Sequence, residues 1–135
     1  MVEQTLAIIK PDAVASFSSG PIIELIERNG FVIKRIEKRQ LDRAIAERFY
    51  AVHASRPFFN ELVDFIISGP VVIMILEKKD AIKDWRELMG ATDPMKAGCG
   101  SIRKMFGTDI GKNATHGSDA SETANYEINV MFPKK

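Results

Sequence analysis

The sequence predicts an α+β sandwich in which helices cover one face of a largely antiparallel sheet. Short β-rich runs recur near the start, in the middle and at the end of the chain, and amphipathic helical stretches separate them. The order is a strand, a helix, a strand, helices, a strand, helices, a long loop, a helix and a strand, which suits that architecture. The length of 135 residues fits one core, so a single domain is expected across residues 1–135.

The first run, TLAII at 5–9, is rich in β-formers and stops at Pro11, whose ring also biases Lys10 toward extended geometry. Lys10 is therefore expected at a strand end. Pro21 suits a first helical position, Ile22, Ile23 and Ile26 make an apolar face, and Asn29 with Gly30 is a stop signal. FVIKRIEKRQL at 31–41 reads as a second strand whose charged far half is exposed. Leu41, Ile45, Phe49 and Val52 then recur at helical spacing up to Pro57. Phe59, Leu62, Val63 and Ile66 mark another helix, closed by Ser68, Gly69 and Pro70, and the two helices predict a hairpin. VVIMIL at 71–76 is short, apolar and β-branched, as expected of a strand buried on both faces. Asp80 is the expected cap of a helix with Ile82, Trp85 and Met89 on one side, Arg86 bordering that side and Gly90 at the end. Residues 90–113 show little periodicity beyond a short helix around 101–106, and so long a loop in a compact domain is often functional. After His116, Asp119 and Glu122 fit a capping box, and Ile128, Val130 and Phe132 alternate as a last strand.

With 45% hydrophobic and 27% charged residues the chain has the composition of a soluble globular protein. Its formal charge of +1 gives no overall electrostatic reason to bind nucleic acid or membrane. The lone cysteine, Cys99, has no internal disulfide partner, and no Cys/His spacing fits a zinc site. No basic segment leads into an apolar one at the N-terminus, and no apolar run approaches the ~20 residues that span a bilayer. A cytoplasmic location with no membrane partner is expected.

His116, one of two histidines, sits among small and polar neighbours in GKNATHGSDA at 111–120. An imidazole is a good nucleophile near neutral pH when something orients it and leaves one nitrogen free. The competing reading is a loop histidine bonded to a backbone carbonyl. Gly117 suits a backbone that passes close to a ligand, and Ser118 or Glu127 would hold the ring. His53, near the end of a mid-chain helix, receives no such role. Lys10, Arg86, Arg103 and Lys112 would receive an anion, the arginines by forked recognition and the lysines as point charges. There is no G-x-x-x-x-G-K-[ST] loop and no G-x-G-x-x-G, H-R-D or D-F-G signature, which excludes both common kinase classes.

NATHGSD at 113–119 resembles the active-site signature of nucleoside diphosphate kinases. AIIKPDAV at 7–14, FYAVHASRPFF at 49–59, SGPVV at 68–72, RELMGATDP at 86–94 and SIR at 101–103 also resemble that family, in its order and over nearly the whole chain. The resemblance implies a ferredoxin-like sandwich, a four-stranded antiparallel sheet covered by helices with a long active-site loop, in agreement with the order of elements above. It implies transfer of the terminal phosphate of a nucleoside triphosphate, mainly ATP, to a nucleoside diphosphate. The mechanism would be ping-pong through a phosphohistidine at His116, with broad tolerance of base and sugar.

Position by position, the resemblance implies that Lys10 binds the transferred phosphate and ribose hydroxyl, Tyr50 lies beside the histidine, and Asn113 binds the ribose. Arg86, Thr92 and Arg103 would hold phosphates. Phe58 would stack on the base, with Leu62 and Ile110 beside it, while Glu127 and Ser118 would orient the imidazole. Taken alone, Phe58 and Leu62 read as core residues and Thr92 as a turn residue. Mg2+ would arrive with the nucleotide phosphates and not rest in a protein cage. The family also implies a homotetramer or homohexamer.

One departure stands out. Many members have Pro-Gly-Thr-Ile-Arg where this chain has Cys99, Gly100, Ser101, Ile102 and Arg103, and loss of the proline beside two glycines predicts a softer loop. Two other functions compete with the kinase. A catalytically weak nucleotide-binding or scaffolding module on the same fold would be favoured by loss of His116 or Lys10, and both are present. A single-stranded nucleic-acid binder would present aromatics on its sheet, but near-neutral charge, 8% aromatic content and the lack of an RNP-type motif argue against that as the main role.

Overall fold

The computed structural model describes residues 2–109 and 112–133. Among these, β1 (Val2–Ile9), β2 (Val32–Arg39), β3 (Val71–Lys79) and β4 (Thr115–Gly117) form one four-stranded antiparallel sheet in the order β2-β3-β1-β4. β1 and β3 are central and pair over the whole of β1, from Val2 opposite Lys79 to Ile9 opposite Val72. Side chains alternate across a strand, so Leu6, Ile8, Val71, Ile73 and Ile75 enter one core while Ala7, Ile9, Val72, Met74 and Leu76 enter another.

The expectation of helices on one face is therefore overturned. β1 and β3 are apolar in both alternations, and neither face of such a sheet can be left to water. The first face is covered by α3 (Arg43–Phe49), α4 (Phe59–Ile66) and α7 (Ser121–Met131). The second is covered by α1 (Pro11–Ala15), α2 (Ser19–Arg28), α5 (Ala81–Met89) and α6 (Ile102–Phe106). β2 lies at the edge and is largely exposed, as its charge predicts. No helix among the described residues is long and apolar enough to cross a membrane.

Local signals explain most boundaries. Lys10 is extended (φ −74°, ψ 165°) and Pro11 opens α1, where its missing N–H has no helical partner to lose. Gly30 and Gly90 adopt φ of 87° and 86° where α2 and α5 end. Asp42 caps α3 by accepting from the Ile45 N–H at 2.8 Å, and Ser101 caps α6.

Other readings are corrected. α2 begins at Ser19, which leaves Pro21 within the first turn, and Val52 is 80% exposed on a 3-10 turn that follows α3. Asp80 precedes α5 in a left-handed conformation and makes no capping bond; Glu3, brought from β1, accepts from the Ile82 N–H at 2.9 Å instead. Asp119 and Glu122 form no capping box, because Ala120 occupies the cap of α7. Residues 128–132 are not a strand: Ala124, Glu127, Val130 and Met131 form the buried stripe of α7. The fourth strand is β4, which carries His116 opposite Ile8.

Gly117 has a different purpose from the one its neighbourhood suggested. A Cβ there would fall 2.5 Å from Trp85 Nε1 and 2.7 Å from Met89 Cε, so the missing side chain lets β4 lie against α5, not against a ligand. Gly117→Ala should overpack this contact and lower the unfolding free energy by ~1–3 kcal/mol in urea titrations. Wild-type stability in that variant would contradict the packing argument.

Candidate active site

His116 is half-buried, and its Nε2 lies 3.1 and 3.2 Å from the two carboxylate oxygens of Glu127. The Ser118 hydroxyl donates to Glu127 Oε1 at 2.7 Å and accepts from the Leu6 N–H at 3.3 Å. A carboxylate that already accepts from a hydroxyl is an acceptor for the ring as well, which assigns the hydrogen to Nε2. Nδ1 is then the lone-pair nitrogen, and no described residue hydrogen-bonds it. The Phe49 ring meets the imidazole edge-on at 4.9 Å and limits its swing.

The backbone leading to this histidine is unusual. Ala114 holds φ of 75°, a costly conformation outside glycine, and it is tied at two points. Its N–H is accepted by Asp12 Oδ2 at 3.1 Å, and its carbonyl accepts from the Lys10 N–H at 2.8 Å. Asp12 and Phe49 lie inside segments that carry the family resemblance, yet no pattern in the sequence singles out either side chain.

Lys10 Nζ donates to Asn113 Oδ1 at 2.9 Å, and Asn113 Nδ2 donates to the Thr92 carbonyl at 3.0 Å. These bonds join the end of β1 to both ends of the long loop. They form one wall of a cleft of about 690 Å³ that also reaches His116, Tyr50 and Arg103. Phe58, 41% exposed, lines its far end with Leu62 and Phe65. Arg86 is not on this cleft; it lines an adjoining hollow of about 650 Å³ that shares His116 and His53 with it. Lys112 borders the cleft, and Ile110 lies outside the described residues.

The electrostatics fit an anion. Lys10, Arg86 and Arg103 form no ion pair among the described residues. Burial, helped by the Arg103 charge, holds the Lys10 ammonium down at about 8. Burial and the Arg86 charge lower Arg103 to about 10, which leaves it cationic at neutral pH. Its guanidinium donates to the Gly90 and Thr115 carbonyls at 3.0 Å, while its Nε is buried without a partner. Burial, and then Glu127, raises the Tyr50 phenol, which keeps it protonated. Among the described residues no group of three His, Cys, Asp or Glu side chains converges to hold a metal.

Known proteins resemble this chain in sequence and in fold. Residues 3–135 match the profile of the family described as Nucleoside diphosphate kinase. A protein of that name from Chlamydia abortus is 55% identical over 133 residues, 98% of this chain and 94% of its own. The nucleoside diphosphate kinase of Aquifex aeolicus superposes with a TM-score of 0.95 at 48% identity, covering 98% of this chain and 96% of that one. The halophilic enzyme of Halobacterium salinarum, solved in complex with CDP, gives 0.94 at 38% identity, over 99% and 90% of the two chains.

A lysine lowered from 10.5 to about 8 leaves the unfolded chain holding more protons between those values. Folding stability attributable to Lys10 therefore rises with pH across that window and is flat below it. Against Lys10→Met, the wild type should gain on the order of 2 kcal/mol between pH 8 and 10.5 in denaturant titrations. A pH-independent difference would refute the assignment.

Proposed function

The chain belongs to the nucleoside diphosphate kinase family and acts as a nucleoside diphosphate kinase; from that premise we propose that His116 carries the phosphoryl group, through Nδ1, in a ping-pong cycle. The observation that supports this most strongly is the Glu127 carboxylate on Nε2, which leaves the other ring nitrogen unengaged beside a cleft of unpaired cations.

In the first half-reaction the Nδ1 lone pair attacks the γ-phosphorus of the triphosphate. The Nδ1–P bond forms as the bond from phosphorus to the β,γ-bridging oxygen breaks, and a nucleoside diphosphate leaves. The Nε2 hydrogen stays on the ring, where the carboxylate stabilises the cationic phosphoimidazole. In the second half a terminal oxygen of another diphosphate attacks the same phosphorus and the N–P bond breaks. One cleft serves both halves because donor and acceptor occupy it in turn.

Transfer of this kind is mainly positioning and charge neutralisation. Lys10 and Arg103 supply charge from the cleft and Arg86 from the hollow beside it, with Thr92 as a further phosphate contact. Lys10 and Asn113 engage the ribose, and Tyr50 offers a protonated hydroxyl next to the histidine. Phe58 stacks on the base with Leu62 and Ile110, and because every base has a π-face this contact favours broad specificity. Lys10, Arg86 and Arg103 would meet a nucleotide whose phosphates carry their own Mg2+, and that ion would supply further neutralisation of phosphate charge; a site walled by cations, with no converging carboxylates among the described residues, fits a metal held by the phosphates.

We also assign residues 1–135 to one domain of this kind, self-associated as a homotetramer or homohexamer, in the cytoplasm. The exposed edge strand, with Val32 and Ile36 turned to solvent, supports self-association, and a lone unpaired cysteine suits a reducing compartment. No observation favours a scaffolding module instead.

Intact-protein mass spectrometry after mixing with ATP and Mg2+ tests the assignment. One acid-labile phosphate should appear on the wild type, none on His116→Ala, and a second nucleoside diphosphate should discharge it. Phosphate on a folded His116→Ala variant would overturn it.

A further inference from the structure

We propose that Trp85 is a positioning residue for phosphoryl transfer, holding the main chain of His116 so that the imidazole meets the phosphate at the right distance. This inference rests on the reading of His116 as the phosphate carrier. Trp85 is fully buried on the inner side of α5, with its indole packed edge-on to Phe31 at 6.1 Å and 82°. Its one polar atom, Nε1–H, donates to the His116 carbonyl at 3.1 Å.

That carbonyl belongs to an edge strand, since β4 has β1 as its single strand neighbour. The Lys10 N–H bonds the Ala114 carbonyl, so in the antiparallel alternation Ile8 and His116 form the next hydrogen-bonded pair and the His116 carbonyl faces the Ile8 N–H. The indole is a second donor to that carbonyl, reaching it from α5 while β1 holds it from the sheet, in the residue whose ring does the chemistry. Gly117 allows it, because a Cβ there would fall 2.5 Å from the same nitrogen. The imidazole is thus held at both ends: Glu127, from α7, holds the ring tip, and Trp85, from α5, holds the peptide.

Trp85 also precedes Arg86 on α5, and Arg86 lines the hollow that His116 shares. The packing of the indole against β4 therefore also fixes the stretch of α5 backbone that carries Arg86. Group transfer is sensitive to displacements of about 1 Å, so a contact outside the cleft can act on the rate without touching the nucleotide. Trp85 lines neither the cleft nor the hollow, so it makes no binding contact of its own.

Trp85→Phe keeps an aromatic ring in the core and removes the donor. Its single-turnover rate of phosphohistidine formation from ATP and Mg2+ should fall about tenfold, the scale of one hydrogen bond, while the Kd for ADP changes less than about twofold. A residue that matters only for stability would lower the fraction of folded protein and leave the rate per folded molecule unchanged, and that result in a folded variant overturns the proposal. Should Trp85→Phe fail to fold, the wild type decides. It has one tryptophan, so its single indole ¹H–¹⁵N signal reports this bond without ambiguity. The signal should shift when His116 is phosphorylated, and an unmoved signal overturns the proposal. If the wild type itself gains no phosphate, the His116 reading fails first and takes this inference with it, an outcome distinct from phosphorylation at normal speed in Trp85→Phe.

Discussion

The hydrogen bond from His116 Nε2 to the Glu127 carboxylate is the constraint around which the rest of the molecule is arranged. A carboxylate is expensive to bury unless it is well bonded, and Glu127 is buried with the imidazole and the Ser118 hydroxyl as its partners. Those partners come from β4 and the residue that follows it, while the glutamate comes from the inner face of α7. The strand and helix must therefore keep their relative positions. Leu6 on β1 steadies Ser118 through its N–H, which carries the network into the centre of the sheet.

A second network places charge where the first places a nitrogen. Lys10, Asn113 and Thr92 are joined in series, so the long loop is tied back to the end of β1 at the point where that strand passes the histidine. Asp12 and Lys10 fix the left-handed Ala114 between them, and the chain turns from the loop into β4 with little freedom. The cost of this backbone and of three mutually repelling cations is the kind of strain that a polyanionic ligand relieves. Stability is spent locally to pre-organise the site.

The central sheet was legible because β1 and β3 carry unbroken apolar runs, and the stops at Gly30 and Gly90 were legible because their φ values require them. The last part of the chain was misread for the reason that makes it functional. Glu127 interrupts the apolar stripe of α7, and without it the alternation of Ile128, Val130 and Phe132 looks like a strand. β4 has three residues, too few for any period to show, and its sequence is Thr-His-Gly. Glu3 capping α5 and Trp85 bonding the His116 carbonyl are contacts between distant segments, which local pattern does not encode. The cleft residues come from α4, α6, β4, the ends of β1 and α3, the 3-10 turn and the long loop; residue chemistry alone suggested a nucleophile at His116 and cations for an anion, but Phe58, Leu62 and Thr92 read as core and turn residues, and only the family resemblance put them all together.

The regiochemistry of the phosphohistidine tests the central claim most directly. With ¹⁵N-labelled histidine, the phosphorylated protein should show one-bond coupling between ³¹P and Nδ1 of His116, while Nε2 keeps its hydrogen. Coupling to Nε2 would mean that the nitrogen bound by Glu127 is the one that reacts, and the proposed arrangement of carboxylate, ring and cleft would be wrong.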